Sequence, residues 1–315
     1  MKRHFQLVTI LFLIIVSFST NSQAQDRVIE ITTVKNENNT VDFFYKKNKP
    51  GSYTLKLEFN MLSNTNNSAE FEEVLENSSG KLFTLRPTNP AAGIGFGFKY
   101  ISTMGNSRVR VDSLFHYILP FKKGEKVMVY ESSNLNEKYF GSEKIESWRS
   151  YSTTSKTMDS IFAMRKGIVV AIKNEFENDT ITKMIYTSKT NTIQIEHEDG
   201  TYALYKGFKK NSFKVKLGEV VYPNTLLGTL DKFNNQNYIL QFTIYYLNKD
   251  LSFNTTKQTL KTAKSPFGYL KPYFYTQEGL IQIVPRNTYT VDFSEDHLTK
   301  EMSKKEIKQR LKNKT

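Results

Sequence analysis

What most limits the folds open to this sequence is its alternation. Between about residues 26 and 117, apolar and polar side chains change places every second residue in short runs. The clearest are residues 41–45, 53–59, 81–85 and 95–100, separated by Asn-, Ser-, Gly- and Pro-rich breaks at 36–39, 50–51, 64–68 and 77–80. A period of two sends successive side chains to opposite faces, which suits half-buried strands and not helices. Regular short strands with turn chemistry predict an all-β sandwich of immunoglobulin-like type over residues 25–117. Gly93, Gly95 and Gly97 lie inside an aromatic alternating run with no helix behind them. They read as a packed strand and not as a phosphate-cradling loop.

A second β region extends over residues 118–248. Thr192-Ile193-Gln194-Ile195-Glu196-His197-Glu198 and Thr201-Tyr202-Ala203-Leu204-Tyr205 flank Asp199-Gly200, a two-residue hairpin signal because Gly tolerates the positive φ the turn needs. Residues 167–172 read as a buried strand entered through Gly167. Residues 215–221 and 225–230 read as two short strands with glycines near the turns, and 238–247 is the longest strand candidate. An extra β segment is expected over 249–293. Over 294–315, Ser294-Glu295-Asp296 gives helix-start chemistry, and Leu298, Met302, Ile307 and Leu311 form an apolar stripe. Seven basic against three acidic residues from Asp296 onward make this a short basic helical tail. It reads either as a solvated terminal helix or as a segment that docks on an anionic surface.

The first 24 residues carry an export pattern. A basic Lys2-Arg3-His4 start precedes ten apolar residues, 7–16, and small residues Ser22 and Ala24 stand where cleavage would follow Ala24. The apolar run is shorter than the roughly 20 residues of a membrane span. The expectation is an exported, periplasmic or extracellular chain with no transmembrane segment after cleavage. Its 44 Lys and Arg against 31 Asp and Glu give +13, or +11 without Lys2 and Arg3. That charge suits anionic envelope polymers or membrane surfaces, and export argues against nucleic acid.

Cysteine is absent, so disulfides, thiolate metal sites and cysteine nucleophiles are excluded. The four His are His4, His116, His197 and His297. His197 stands beside Glu196, Glu198 and Asp199 and is the one metal-ligand candidate. Neighbours in a strand diverge, however, and Glu196 would point away from it. No Ser/His/Asp or Cys/His constellation is visible.

The second region resembles the lysostaphin/LytM-type zinc metallopeptidases of bacterial peptidoglycan. Leu119-Pro120-Phe121-Lys122-Lys123-Gly124-Glu125-Lys126 is similar to that family's lead-in. Ala163-Met164-Arg165-Lys166-Gly167-Ile168-Val169-Val170 is similar to its Ala-Ala-Arg-Asp-Gly-Val-Val-Val strand. The hairpin 195–205 and the paired-glycine element 215–228 follow in the family's order. The resemblance implies a lysostaphin-like, duplicated-hybrid-motif β-barrel. It places the family's Tyr-x-His-Leu on Tyr205-Lys206-Gly207-Phe208 and its His-Leu-His-Phe-Glu-Val on Ile239-Leu240-Gln241-Phe242-Thr243-Ile244. The family's first His and Asp should fall between residues 141 and 159, where there is no His and the Asp position lies near Ser152.

A catalytic zinc needs three N/O ligands, an open water position and an acid/base. At the matched positions stand Gly207, Ile239 and Gln241. The resemblance therefore implies a degenerate peptidase, a pseudo-enzyme with no cofactor, which binds peptidoglycan or a partner cell-wall hydrolase. The expected groove is lined by Tyr205, Gly207, Ile239 and Gln241, with Trp148, Arg149 and Tyr151 on the approaching loop; Trp148 reads equally as core filling. Two alternatives stand beside this: an active zinc peptidase with relocated ligands at His197 and His116, and a structural module of a secreted or surface complex.

Overall fold

The computed structural model describes residues 28–132, 147–177, 187–233, 236–248 and 265–312. The export segment and part of the 249–293 segment lie outside the described residues. Among those described, the regular structure is almost all strand, with helix confined to the C-terminal end.

Alternation builds the first unit as expected. Strands β1 (Ile29–Lys35), β2 (Val41–Lys47) and β5 (Ser79–Leu85) form one antiparallel sheet, and β4 (Glu70–Leu75), β3 (Tyr53–Ser63) and β6 (Gly95–Met104) form another. Val41, Phe43 and Tyr45 of β2 and Tyr53, Leu55 and Leu57 of β3 turn inward. Phe43 stacks on Phe83 with centroids 4.6 Å apart and meets Phe96 and Phe98 at 5.4 Å. Such aromatic contacts add about 0.5–1.5 kcal/mol each beyond the area they bury. The result is a sandwich of two three-stranded sheets, smaller than the seven strands of an immunoglobulin constant-type domain.

The expected boundary at 117/118 falls inside a strand. β7 (His116–Ile118) pairs in parallel with β19 (Tyr273–Thr276), which pairs with β20 (Gly279–Gln282). Phe115 and Tyr117 therefore belong to the core of the second unit. Its main sheet runs β14 (Val220–Val221), β11 (Gly167–Lys173), β12 (Asn191–Glu196), β13 (Thr201–Phe208), β17 (Asn237–Leu247), β9 (Tyr151–Ser155), β8 (Lys126–Glu131) and β21 (Asn287–Thr290). β16 (Lys232–Phe233) and β18 (Phe267–Tyr269) attach to β17, and β10 (Ser160–Phe162) pairs with β15 (Leu226–Thr229). The sheet ends at β14 and β21 without closing, so the expected barrel is an open, curved sheet with one covered face. The extra β segment is not an appendage: β18, β19 and β21 are woven into the sheets of this unit.

The β12–β13 hairpin differs from the two-residue turn that its Asp-Gly suggests. The His197 N–H donates to Thr201 O at 2.8 Å, leaving three loop residues, with Gly200 at φ +73°. A three-residue loop ending in a left-handed Gly is the next commonest hairpin geometry. Asp199 makes this loop do more than turn. It accepts from Thr201 N–H and Oγ1–H (3.1 and 2.6 Å) and faces Arg165.

Arg165 is the polar centre of the second unit. Its guanidinium is nearly enclosed and pairs with Asp199 (2.8 Å) and Glu301 (2.7 Å). It also donates to the Tyr117 hydroxyl (3.2 Å) and lies 3.7 Å from the Phe115 ring centroid. Burial opposes its charge, but the Glu301 hydrogen bonds and the surrounding negative groups hold it more firmly protonated than usual. The C-terminal helices α1 (Glu295–Thr299) and α2 (Lys304–Lys312) fold back to deliver Glu301. Leu298 is buried in the same core, so α1 packs on the second unit, while α2 has no fully buried residue.

The two units touch where the turn at Gly51 and Ser52 meets the outer face of β11 and β12. The Ser52 N–H donates to Glu196 Oε2 at 2.7 Å. At Gly51 (φ +87°) a Cβ would lie 2.6 Å from Val170 Cγ1 and 2.7 Å from Glu196 Oε2, so only glycine fits this approach.

Removing Arg165 leaves two carboxylates without their buried partner. Arg165→Ala is expected to lower stability by about 3–5 kcal/mol. Arg165→Met combined with Asp199→Asn and Glu301→Gln, which leaves no buried charge, is expected to recover most of the loss. Urea unfolding of the three proteins checks both statements.

Candidate functional site

Alternation along the central strands sorts their side chains onto two faces. Ala203 and Tyr205 of β13, and Leu240, Phe242 and Ile244 of β17, enter the core. The residues between them emerge on the outer face. Backbone register aligns them across the sheet: Thr192 opposite Lys206, Lys206 opposite Gln241, Gln241 opposite Ser152, and Ser152 opposite Tyr130. Ile239 lies one step along β17 on the same face, opposite Thr154, and Thr243 lies one step the other way, opposite Leu204. This row of lysine, amide, hydroxyl and phenol is the candidate site. It contains Ile239 and Gln241, and Ser152 at the expected Asp position.

Gly207 is held against this row by its backbone. It has φ +111°, and a Cβ placed on it would collide with the carbonyl oxygen of Ile239. Its own carbonyl accepts from the Asp231 N–H at 2.8 Å. The position that matches the family's Tyr-x-His-Leu histidine therefore has no room for any side chain. Lys206, immediately before it, projects from the outer face. Burial alone pushes its ammonium pKa down, and no carboxylate among the described residues pairs with it.

The other expected groove residues lie elsewhere. Tyr205 is fully enclosed on the inner face, where its hydroxyl accepts the Met164 N–H at 2.9 Å. Tyr151 also points inward and stacks on Phe242 at 5.4 Å, with burial pushing its hydroxyl pKa up. Both are excluded from an outer-face groove by strand parity. Trp148 donates to Ser132 O at 3.3 Å and packs on Tyr269 at 4.7 Å. Tyr269 is opposite Tyr245, four residues from Gln241 along β17 and so ~13 Å away along the strand. Arg149 Nε lies 3.7 Å from Glu131, at the same end of the sheet. The structure thus brings together Gly207, Ile239 and Gln241, and assigns Trp148, Arg149, Tyr151 and Tyr205 to packing or to the sheet's far end.

Thr154 and Tyr130 are outer-face residues that motif matching passes over, and it crosses Lys206 without giving it a role. Parity could have found them: once Gln241 is placed on a face, register assigns its neighbours.

His197 is a core histidine. Its Nδ1–H donates to Lys166 O at 2.8 Å, and its ring lies 6.0 Å from that of Tyr117. Burial, and then the positive charge of Arg165, hold its pKa down at about 3. Nε2 is enclosed without a hydrogen-bond partner. Its neighbours are committed elsewhere: Glu196 to Ser52, and Asp199 to Arg165 and Thr201. His116 and Tyr117 are adjacent on β7 and leave it on opposite faces, so His116 points away from His197. His297 Nδ1 is taken up by Ser294 Oγ at 2.7 Å. No group of three or more His, Asp or Glu among the described residues is placed to hold a metal ion. Gly, Ile, Gln and Ser at the matched positions do not make a zinc ligand set.

No family model matches this sequence, and no curated protein matches it. Among solved structures, the chain is similar to the SpoIIQ–SpoIIIAH pore-forming complex (16% identity, TM-score 0.26, covering 48% of this chain and 92% of that one). It is similar to a candidate M23 peptidase of Pseudomonas aeruginosa (12%, 0.25, 69% and 87%). It is also similar to Csd3 of Helicobacter pylori (11%, 0.27, 90% and 83%). At these values the likenesses do not bear on what this chain binds.

Gly207→Ala is expected to destabilise the protein by more than about 1 kcal/mol, since both φ and space oppose it. Gly207→His should do worse and confer no zinc binding; thermal melts with and without zinc check this. For His197, the unfolded ring takes up a proton near pH 6.5, whereas the folded ring does so only near 3. Stability should be full above about 6.5 and fall as pH drops toward 3. His197→Gln should flatten that part of the profile, read as the urea midpoint against pH.

Proposed function

We propose that this protein is a non-catalytic, peptidase-like scaffold whose outer sheet face binds peptidoglycan or a hydrolase that acts on it. The supporting observation is the site's chemistry. Positions that the lysostaphin-type resemblance matches to metal ligands and base gather on one sheet face, yet they present Gly207, Ile239, Gln241 and Ser152. Zinc does not fit this set, and no hydrolytic step is derived through it. What remains is a surface of amide, hydroxyls, a phenol and one partly desolvated lysine. Such groups hydrogen-bond neutral sugars and attract carboxylates, and both are present in peptidoglycan. Export to the cell envelope belongs to the same reading and rests on the N-terminal sequence pattern.

The test is co-sedimentation of the purified chain with isolated sacculi, run beside a gel assay of wall hydrolysis and a zinc determination. The expected result is binding without hydrolysis and without stoichiometric zinc. Lys206→Glu and Gln241→Arg should each reduce binding about tenfold while leaving the melting temperature in place; loss of one charge-assisted contact is worth about 1.5–3 kcal/mol. Stoichiometric zinc that disappears with His197 and His116 would establish the relocated-ligand peptidase instead. A chain that ignores both sacculi and wall hydrolases would be the structural module.

A further inference from the structure

The C-terminal helix α2 and the β11–β14 edge of the sheet share a surface that the candidate site does not use. Ile168 and Val220 face each other across this edge, and both are strongly exposed (40% and 45%). Leu217, on the adjoining turn, is 50% exposed. That turn is bonded to β11 by the Gly218 N–H to Val169 O (2.8 Å) and the Val169 N–H to Glu219 O (2.9 Å). Three branched aliphatic side chains therefore stand together in water on a well-bonded edge. Scattered exposed aliphatics need no explanation, but a contiguous group on a fixed frame marks a contact surface.

α2 lies beside this group. Lys166, two residues before Ile168, binds Glu306 at 3.0 Å, and Tyr222, two residues after Val220, donates to Glu306 at 2.6 Å. Lys166 and Tyr222 stand just beyond the paired ends of β11 and β14, so α2 is anchored at the end of the edge that carries Ile168 and Val220. These bonds hold the Glu306 carboxyl down at about 2. Acidic side chains of the C-terminal region are spent inward: Glu301 on Arg165, Glu306 on Lys166 and Glu295 on Arg310. Glu306 and Ile307 are partly covered, while Lys304, Lys305, Lys308 and Leu311 are exposed. Their spacing of one, three and three residues gathers them on one stripe of the helix. The three lysines form no ion pair among the described residues.

We propose that this face docks on an anionic lipid surface, with Leu217, Val220, Ile168 and Leu311 entering the interface and the lysines of α2 meeting the headgroups. Charge alone would suit any polyanion. The exposed aliphatics beside it select the lipid, because only a lipid–water interface rewards the basic and the apolar components together. This reading is independent of the wall-binding one, because it uses neither Lys206 nor Gln241.

The test is sedimentation of the purified chain with phosphatidylcholine vesicles, with and without phosphatidylglycerol. Variants keep the same N-terminus, so any contribution of residues 1–24 cancels. Binding is expected only to the anionic vesicles. Charge reversal of Lys304, Lys305 and Lys308 should weaken it about fivefold each and roughly a hundredfold together. Leu217→Ser with Val220→Ser should weaken it about tenfold or more. Both sets should keep the wild-type melting temperature and, if the wall reading holds, full binding to sacculi. Equal binding to neutral vesicles, or none to anionic ones, would overturn the proposal. So would a Leu217/Val220 variant that binds as well as wild type, since the surface would then read charge alone.

Discussion

The second unit is organised around one buried cation. Arg165 ties a strand entry, the Asp199 hairpin loop, the Tyr117 strand and the Glu301 segment to a single guanidinium. No apolar side chain could do this, because the four partners approach from different directions and three of them are polar. A planar group with five donors can meet two carboxylates and a phenol at once, and its face can still lie on Phe115. Burial of the charge is costly, and the surrounding bonds offset that cost only while all partners are present. The hairpin loop length and the inward turn of Asp199 go with having this cation where it is, and its charge adds to the burial that keeps His197 neutral.

On the opposite side of the same sheet, parity decides what is presented to solvent. Tyr205 and Tyr151 belong to the core, and Lys206 and Ser152 belong to the surface, although each pair is adjacent in sequence. The outer row is crossed by the Gly207 backbone, which removes the space for a side chain at the point where a hydrolytic site would need one. The row itself presents an amide, hydroxyls, a phenol and a lysine, and carries no His, Asp or Glu among the positions named.

How much of this was legible in the sequence depends on the range of the interaction. Strands such as β2 and β3 were readable because alternation is a property of neighbours. The parallel pairing of β7 with β19 and the antiparallel pairing of β21 with β8 were not readable. Pairings between distant segments leave no local trace, and this is why residues 249–293 read as an addition; the barrel was implied by the family resemblance and not by any local pattern. The site divides in the same way. Ile239 and Gln241 share a face by simple spacing. Tyr205 and Gly207 are also two apart, but the irregularity between Lys206 and Phe208 separates them, and a motif does not encode it. The Asp-Gly turn also read one residue too short, because its loop is set by Asp199 reaching a distant arginine.

The hub has a consequence for the order of events in the chain's life. Arg165 and Glu301 are 136 residues apart, so the charge centre of the second unit stays incomplete until nearly all of the described chain has been made. Closing a contact of that span is slow, and its partners are unfavourable to bury without it. The sandwich, whose six strands lie within residues 29–104, has no such dependence and can settle early. A chain built this way matures in two instalments, with its C-terminal clasp as the final step.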